Sequence, residues 1–162
     1  MWFLFLIIGI VILDQATKYW AASALKSGDV WVILANIFEF RYAENRGAAW
    51  SILEGYPWLL LGVSVVMLGI LIWNRSEFLK NGFWGKLALG LLIGGILGNF
   101  IDRLWHRYVI DFIQVYLPTL RQMAHYPVES YAFPTFNIAD SAICLGVVAY
   151  GVMMVMESRK AG

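Results

Sequence analysis

Four long apolar runs alternate with four polar stretches. The runs cover about 2–20, 58–73, 87–105 and 138–156. A helix through a bilayer needs roughly 20 apolar residues, so three runs suffice outright and 58–73, between Pro57 and Asn74, is short. The polar stretches differ in kind. Residues 21–56 and 106–133 are long and mix aromatic with charged positions, whereas 74–86 and 157–162 are short and basic. The pattern predicts an all-α membrane protein with four transmembrane helices, forming a single membrane domain over residues 1–162. Within 21–56, Phe38-Glu-Phe-Arg-Tyr42 alternates like a half-buried strand that Val30-Trp-Val-Ile33 can pair with. A small sheet at the membrane surface follows, with aromatics at headgroup depth.

Polar residues interrupt the apolar runs in a few places. Asp14 and Lys18 stand four apart near the end of the first run, with the acid N-terminal, the better order for a helical ion pair; Lys18 is long enough to reach the interface. Gly90, Gly94 and Gly98 form a small-residue ridge expected to pack within the bundle. Asn99, Asp102 and Arg103 crowd the end of the third run, where Arg103 can neutralise Asp102 or a neighbouring carboxylate. Asn137 and Asp140 open the fourth run three apart, on one helical face, just after Pro134. An acid at a membrane helix mouth needs a partner or a task. The best candidate partner is Asp111, in Val109-Ile-Asp-Phe112. Asn45-Arg-Gly-Ala-Ala49 offers little side-chain bulk at Gly47, so a backbone could approach closely there.

Composition agrees with membrane residence. Of 162 residues 60% are hydrophobic and eight are Trp; the mean hydropathy is +0.68, above soluble-domain usage. A net charge of +1 gives no reason to expect nucleic-acid binding. The lone Cys144 reads as a buried structural thiol. His106 and His125 have no ligand-spaced companions, so neither metal nor cofactor is expected. The first run lacks a basic lead and is followed by three more, which favours a retained span over a cleaved signal.

Charge sets the orientation. The segments 74–86 and 157–162 hold five Lys/Arg in nineteen residues, and 21–56 with 106–133 hold five in sixty-four. The positive-inside rule puts both termini in the cytoplasm. Asp14, Asn45, Asp102, Asp111 and Asp140 then converge near the outer side.

Two carboxylates held close together cannot both ionise easily: one keeps a proton and the other stays charged. Such a pair can activate a water and protonate a leaving amine, which is peptide hydrolysis without a metal. Ser51, Ser64 and Ser141 have no His at their depth, and nucleophile-elbow and zinc-protease motifs are absent.

The blocks Asp14-Gln-Ala-Thr-Lys18, Asn45-Arg-Gly-Ala-Ala49, Gly95-Ile-Leu-Gly-Asn-Phe-Ile-Asp-Arg103, Val109-Ile-Asp-Phe112 and Phe136-Asn-Ile-Ala-Asp140 resemble, in order and over nearly the whole chain, those of lipoprotein signal peptidase (signal peptidase II). The resemblance implies an aspartic endopeptidase of the bacterial inner membrane that removes signal peptides from prolipoproteins, cutting before the diacylglyceryl-modified cysteine. It implies that Asp111 and Asp140 are catalytic, and that Asp14, Lys18, Asn45, Gly47, Asn99, Asp102, Arg103, Asn137 and Ala139 shape or support the site. It also implies membrane lipid as surroundings, globomycin-type peptides as inhibitors, a small periplasmic sheet and a mobile periplasmic segment; 114–133 is the expected lid. Ile110 departs from the family's more frequent Val, and 117–133 matches none of its motifs. Two other readings are a small proton-coupled transporter or channel component, and a non-catalytic assembly subunit. A relay needs polar groups through the membrane, and the second and fourth runs are bare toward the cytoplasm. An assembly subunit has no need of two aspartates beside a small-residue loop.

Overall fold

The computed structural model describes residues 2–48, 52–116 and 132–161. In order these form α1 (Trp2–Leu25), β1 (Val30–Leu34), β2 (Phe38–Asn45), α2 (Pro57–Trp73), α3 (Arg75–Lys80), α4 (Gly82–His106), β3 (Val109–Val115) and α5 (Ile138–Ala161). The helices α1, α4 and α5 are long and apolar enough to cross a membrane, and α2 is a shorter apolar helix. Its 17 residues rise about 25 Å, at the lower limit for a span. Large apolar side chains point outward along the helices, with Phe5 76% and Trp73 85% exposed. That is the lipid-facing surface of a membrane protein.

Helix α4 is the hub and touches each of the other helices. Its glycines make this possible. A Cβ on Gly90 would lie 2.9 Å from Leu6, and one on Gly94 would lie 3.0 Å from Ile10. The expected ridge therefore seats α1 within the bundle. One helical step away, a Cβ on Gly95 would lie 2.5 Å from the Ala139 carbonyl of α5. Small residues bring backbones together where lipid offers no hydrophobic gain. The far end of the bundle closes on Leu71, Phe78, Ala88, Leu89, Ala149 and Met153.

At the near end, α4 stops at Arg107, which adopts left-handed φ of 66° and returns its N–H to Arg103 O at 3.1 Å. The chain then doubles back into β3, so Asp111 comes to lie beside the helix end it has just left. The sheet is antiparallel in the order β1-β2-β3. The expected pairing of 30–33 with 38–42 is present, with Trp31 opposite Phe40. β2 and β3 set Ala43 opposite Asp111. Phe136 then exchanges backbone hydrogen bonds with Ile113 (2.9 and 3.0 Å), which carries the chain past β3 into α5. Phe112 packs with Ala21 and Leu25 to join the sheet to α1.

Three expectations need correction. Cys144 is exposed on α5, because its position falls on the lipid side of the helix. Lys18 does not reach outward: it is 1% exposed, drawn inward by acids on two helices. The segment after α4 is a strand, β3, which the sequence reading did not assign. The lid expected over 114–133 falls largely outside the described residues; its first part, through Val115, belongs to β3.

Candidate active site

The site is built in two tiers where α1, α4, β3 and α5 meet. In the lower tier, Lys18 Nζ lies 2.8 Å from Asp14 Oδ2 and 3.0 Å from Asp102 Oδ2, and donates to Asn99 Oδ1 at 2.9 Å. All three ammonium protons are thus used, and Asp14, Lys18 and Asp102 are almost fully buried. A buried charge survives only when paired and hydrogen-bonded like this. Asp102 therefore takes Lys18 as its partner. Arg103, expected to neutralise Asp102 or a neighbouring carboxylate, interacts electrostatically with Asp140, Asp111 and Asp102, while its hydrogen bond goes to the Gly47 carbonyl at 3.2 Å, which ties the loop after β2 to α4.

The lower tier reaches the upper through backbone. Asp14 Oδ1 accepts the Ala139 N–H at 2.9 Å, and Asp102 Oδ2 accepts the Ile110 N–H at 3.0 Å. Gly98 allows this crowding, since a Cβ there would lie 2.6 Å from Asp14 Oδ2.

In the upper tier, Asn137 joins the two strongest candidate acids. Its side-chain amide donates to Asp111 Oδ1 at 2.7 Å, while its backbone N–H donates to Asp140 Oδ2 at 3.2 Å. Its own Oδ1 accepts the Asp140 N–H at 2.9 Å. This reciprocal pair is a capping box at the start of α5, so the three-residue spacing of Asn137 and Asp140 serves the helix end as well as the site. Asn99 donates to Asp140 Oδ1 at 2.7 Å. Asn45 donates to Asp111 Oδ2 at 3.0 Å and accepts the Gly47 N–H at 3.0 Å.

Among the described residues no cation bonds directly to Asp111. Burial first, and the facing Asp140 charge second, push its carboxyl up from the usual carboxylate range to about 7. Asp111 also lines an open cleft of about 420 Å³ with Asn45, Arg46, Glu54, Pro134 and Thr135. At its rim Glu44 accepts from Tyr42 (3.2 Å) and Arg46 (3.1 Å). Burial works to raise the Glu44 carboxyl, but hydrogen bonds from Arg46, Tyr108 and Tyr42 hold it below its ordinary value. Among the described residues there is no group of side chains suited to a metal ion.

The structure thus brings together all eleven residues singled out from the sequence: Asp14, Lys18, Asn45, Gly47, Asn99, Asp102, Arg103, Asp111, Asn137, Ala139 and Asp140. It adds one that sequence reasoning missed. Gln15 Nε2 donates to Asp102 Oδ1 at 3.0 Å, to the Gly98 carbonyl at 3.1 Å and to Asp14 Oδ2 at 3.2 Å. Its place three residues before Lys18, on the same helical face, was the available signal.

A family model described as Signal peptidase (SPase) II matches residues 6–156. Two solved structures, each described as a bacterial membrane enzyme determined by the in meso method, are similar over nearly the whole chain. The first is 29% identical, covering 99% of this chain and 91% of its own, with a TM-score of 0.81. The second is 31% identical, covering 94% of this chain and 91% of its own, with a TM-score of 0.74.

Proposed function

The chain belongs to the signal peptidase II family, a peptidase family, and on that premise we propose that it is an intramembrane aspartic endopeptidase. It removes signal peptides from prolipoproteins by cutting before the diacylglyceryl-modified cysteine. The observation that carries this reading is the Asn137 bridge, which holds Asp111 and Asp140 in one hydrogen-bonded unit beside an open cleft.

The two acids divide the work. Asp111, whose carboxyl is raised to about 7, holds the proton and hydrogen-bonds the scissile carbonyl. Asp140 sits in the first turn of α5, where the helix's positive end suits a carboxylate; it draws a proton from the attacking water. Water oxygen bonds to the carbonyl carbon, the carbon–nitrogen bond breaks, and the leaving amine takes up a proton from the pair. No covalent intermediate and no cofactor is needed. Asn45, Asn99 and Asn137 hold the acids as neutral donors. Gly47, fixed by Arg103, leaves room for the substrate backbone.

The unequal Lys/Arg counts of the connecting segments support cytoplasmic termini and a site near the periplasmic side of the bacterial inner membrane. Residues 1–162 act as one membrane domain, and globomycin-type cyclic peptides compete for the cleft. The test is cleavage of a diacylglyceryl-modified preprotein by detergent-solubilised protein. Wild type cuts it, and Asp111→Asn and Asp140→Asn do not although both insert and fold. Near-normal turnover by both single variants would remove the pair from the mechanism.

A further inference from the structure

The two acids of the proposed pair come from elements with no direct sequence link: a strand after α4 and the first turn of α5. Their separation is the quantity the chemistry depends on, since a displacement of about 1 Å can cost on the order of a hundredfold in rate. The residues immediately before each acid are held from below. The Ile110 N–H bonds to Asp102 at 3.0 Å, and the Ala139 N–H bonds to Asp14 at 2.9 Å. Asp14 lies on α1 and Asp102 on α4. Two side chains, both from α1, span the gap between them. Lys18 contacts Oδ2 of each, at 2.8 and 3.0 Å. Gln15 donates to Asp102 Oδ1 at 3.0 Å and Asp14 Oδ2 at 3.2 Å, and anchors both to the Gly98 carbonyl at 3.1 Å.

We propose that Gln15 and Lys18 are positioning residues that lock Asp14 to Asp102 and thereby set the spacing of Asp111 and Asp140. The proposal rests on the hydrolytic reading above and adds a residue to which the family resemblance gave no role. Lys18 supplies the charge that lets two carboxylates stay buried. Gln15 supplies direction: its amide carries two protons for three acceptor oxygens, so it has its full set of partners only while α1 and α4 keep one register. Ile110 and Ala139 are the lever arms. Loosening the lock moves β3 and the start of α5 relative to each other without removing any group that touches the substrate.

The variant that tests this is Gln15→Met, which keeps the length of the side chain and removes both donors. Gln15→Asn, with the amide one methylene shorter, serves if the methionine variant does not fold. Two readouts are taken: steady-state cleavage of a lipid-modified preprotein, and the titration of Asp111 followed by the infrared carboxyl band of protein labelled with 13C-aspartate. Asp111 is faced by Asp140 from α5, Lys18 from α1 and Arg103 from α4. A wider gap weakens the push from Asp140, so its midpoint falls from about 7. The expected result is a kcat lowered on the order of tenfold or more, KM within about twofold, and a midpoint lowered by roughly half a unit or more. A folded variant with the wild-type midpoint overturns the proposal, whether or not its kcat falls, as does a raised KM at unchanged kcat. If wild type itself leaves the preprotein intact, the hydrolytic reading fails, and the infrared midpoint still decides the lock.

Discussion

Asp14 and Asp102 share one ammonium, whereas among the described residues Asp111 and Asp140 are hydrogen-bonded only to neutral groups: the amides of Asn45, Asn99 and Asn137 and one backbone N–H. Both pairs sit at the same end of one bundle, and the described buried side-chain polar atoms all have partners. The difference lies in charge rather than in hydrogen bonding. In the lower tier the Lys18 cation offsets one of the two acid charges and bonds to both carboxylates, which also accept backbone N–H groups. In the upper tier the charge is left over, and one of the two acids has to hold a proton. A cluster satisfied by a cation supports structure; a cluster satisfied only by dipoles can exchange protons.

Substitution at the upper tier has the largest effect. Asp111→Asn or Asp140→Asn lowers cleavage by at least about a thousandfold, with thermal unfolding in detergent at or above the wild-type temperature because the pair no longer has to keep a proton to avoid facing like charges. The lower tier responds in the opposite sense. Lys18→Met strands two buried acids and destabilises the fold by about 3–5 kcal/mol, measured by the same melts, and adding Asp102→Asn recovers part of that loss. A lower-tier variant with wild-type stability would erase the contrast between the two clusters.

Acidity sharpens the comparison further. The folded protein keeps the Asp111 proton up to about pH 7, whereas the unfolded chain releases it near 3.9. A carboxyl raised by folding contributes stability that is fully present below the unfolded value and lost as pH rises through about 7. The melting temperature therefore falls between about pH 4 and 8, cleavage declines above about 7, and Asp111→Asn flattens the melting curve's slope with pH. Asn45→Ala removes one donor from Asp111, which lowers activity about tenfold and moves the alkaline limb of the rate profile upward. At the small end stands Lys80, whose contact with Glu77 at 3.9 Å lies on the surface. Lys80→Ala changes stability by at most about 0.5 kcal/mol, a baseline for the melts.

The sequence foretold what depends on one element at a time. Apolar runs announce helices, the alternation in Phe38–Tyr42 announces β2, and the Gly90–Gly94–Gly98 step announces a packing face. The Asp14–Lys18 pair was legible from its spacing, but its burial was not, because Asp102 and Asn99 arrive from a helix some eighty positions away. β3 escaped notice for a physical reason. Val109–Phe112 is buried without a break, as are Gln114 and the flank of Asp111, so period-two alternation disappears. Arg103 reads as a carboxylate partner and does face the acids electrostatically, but that its hydrogen bond goes to the Gly47 carbonyl could not be read from spacing. The site residues assembled in the structure were reached mainly through the five ordered blocks; no local pattern says that Asn137 both caps a helix and bridges two acids.

The hydrogen bond from the Ala139 N–H to Asp14 connects positions 125 apart along the chain. A nascent chain that has threaded three helices into the bilayer already carries Asp14, Lys18, Asp102 and Asp111, yet has nothing to set opposite Asp111. Only when the last helix inserts does its mouth seat on the first. On the proposed reading, the catalytic pair is therefore completed only by the last step of membrane insertion.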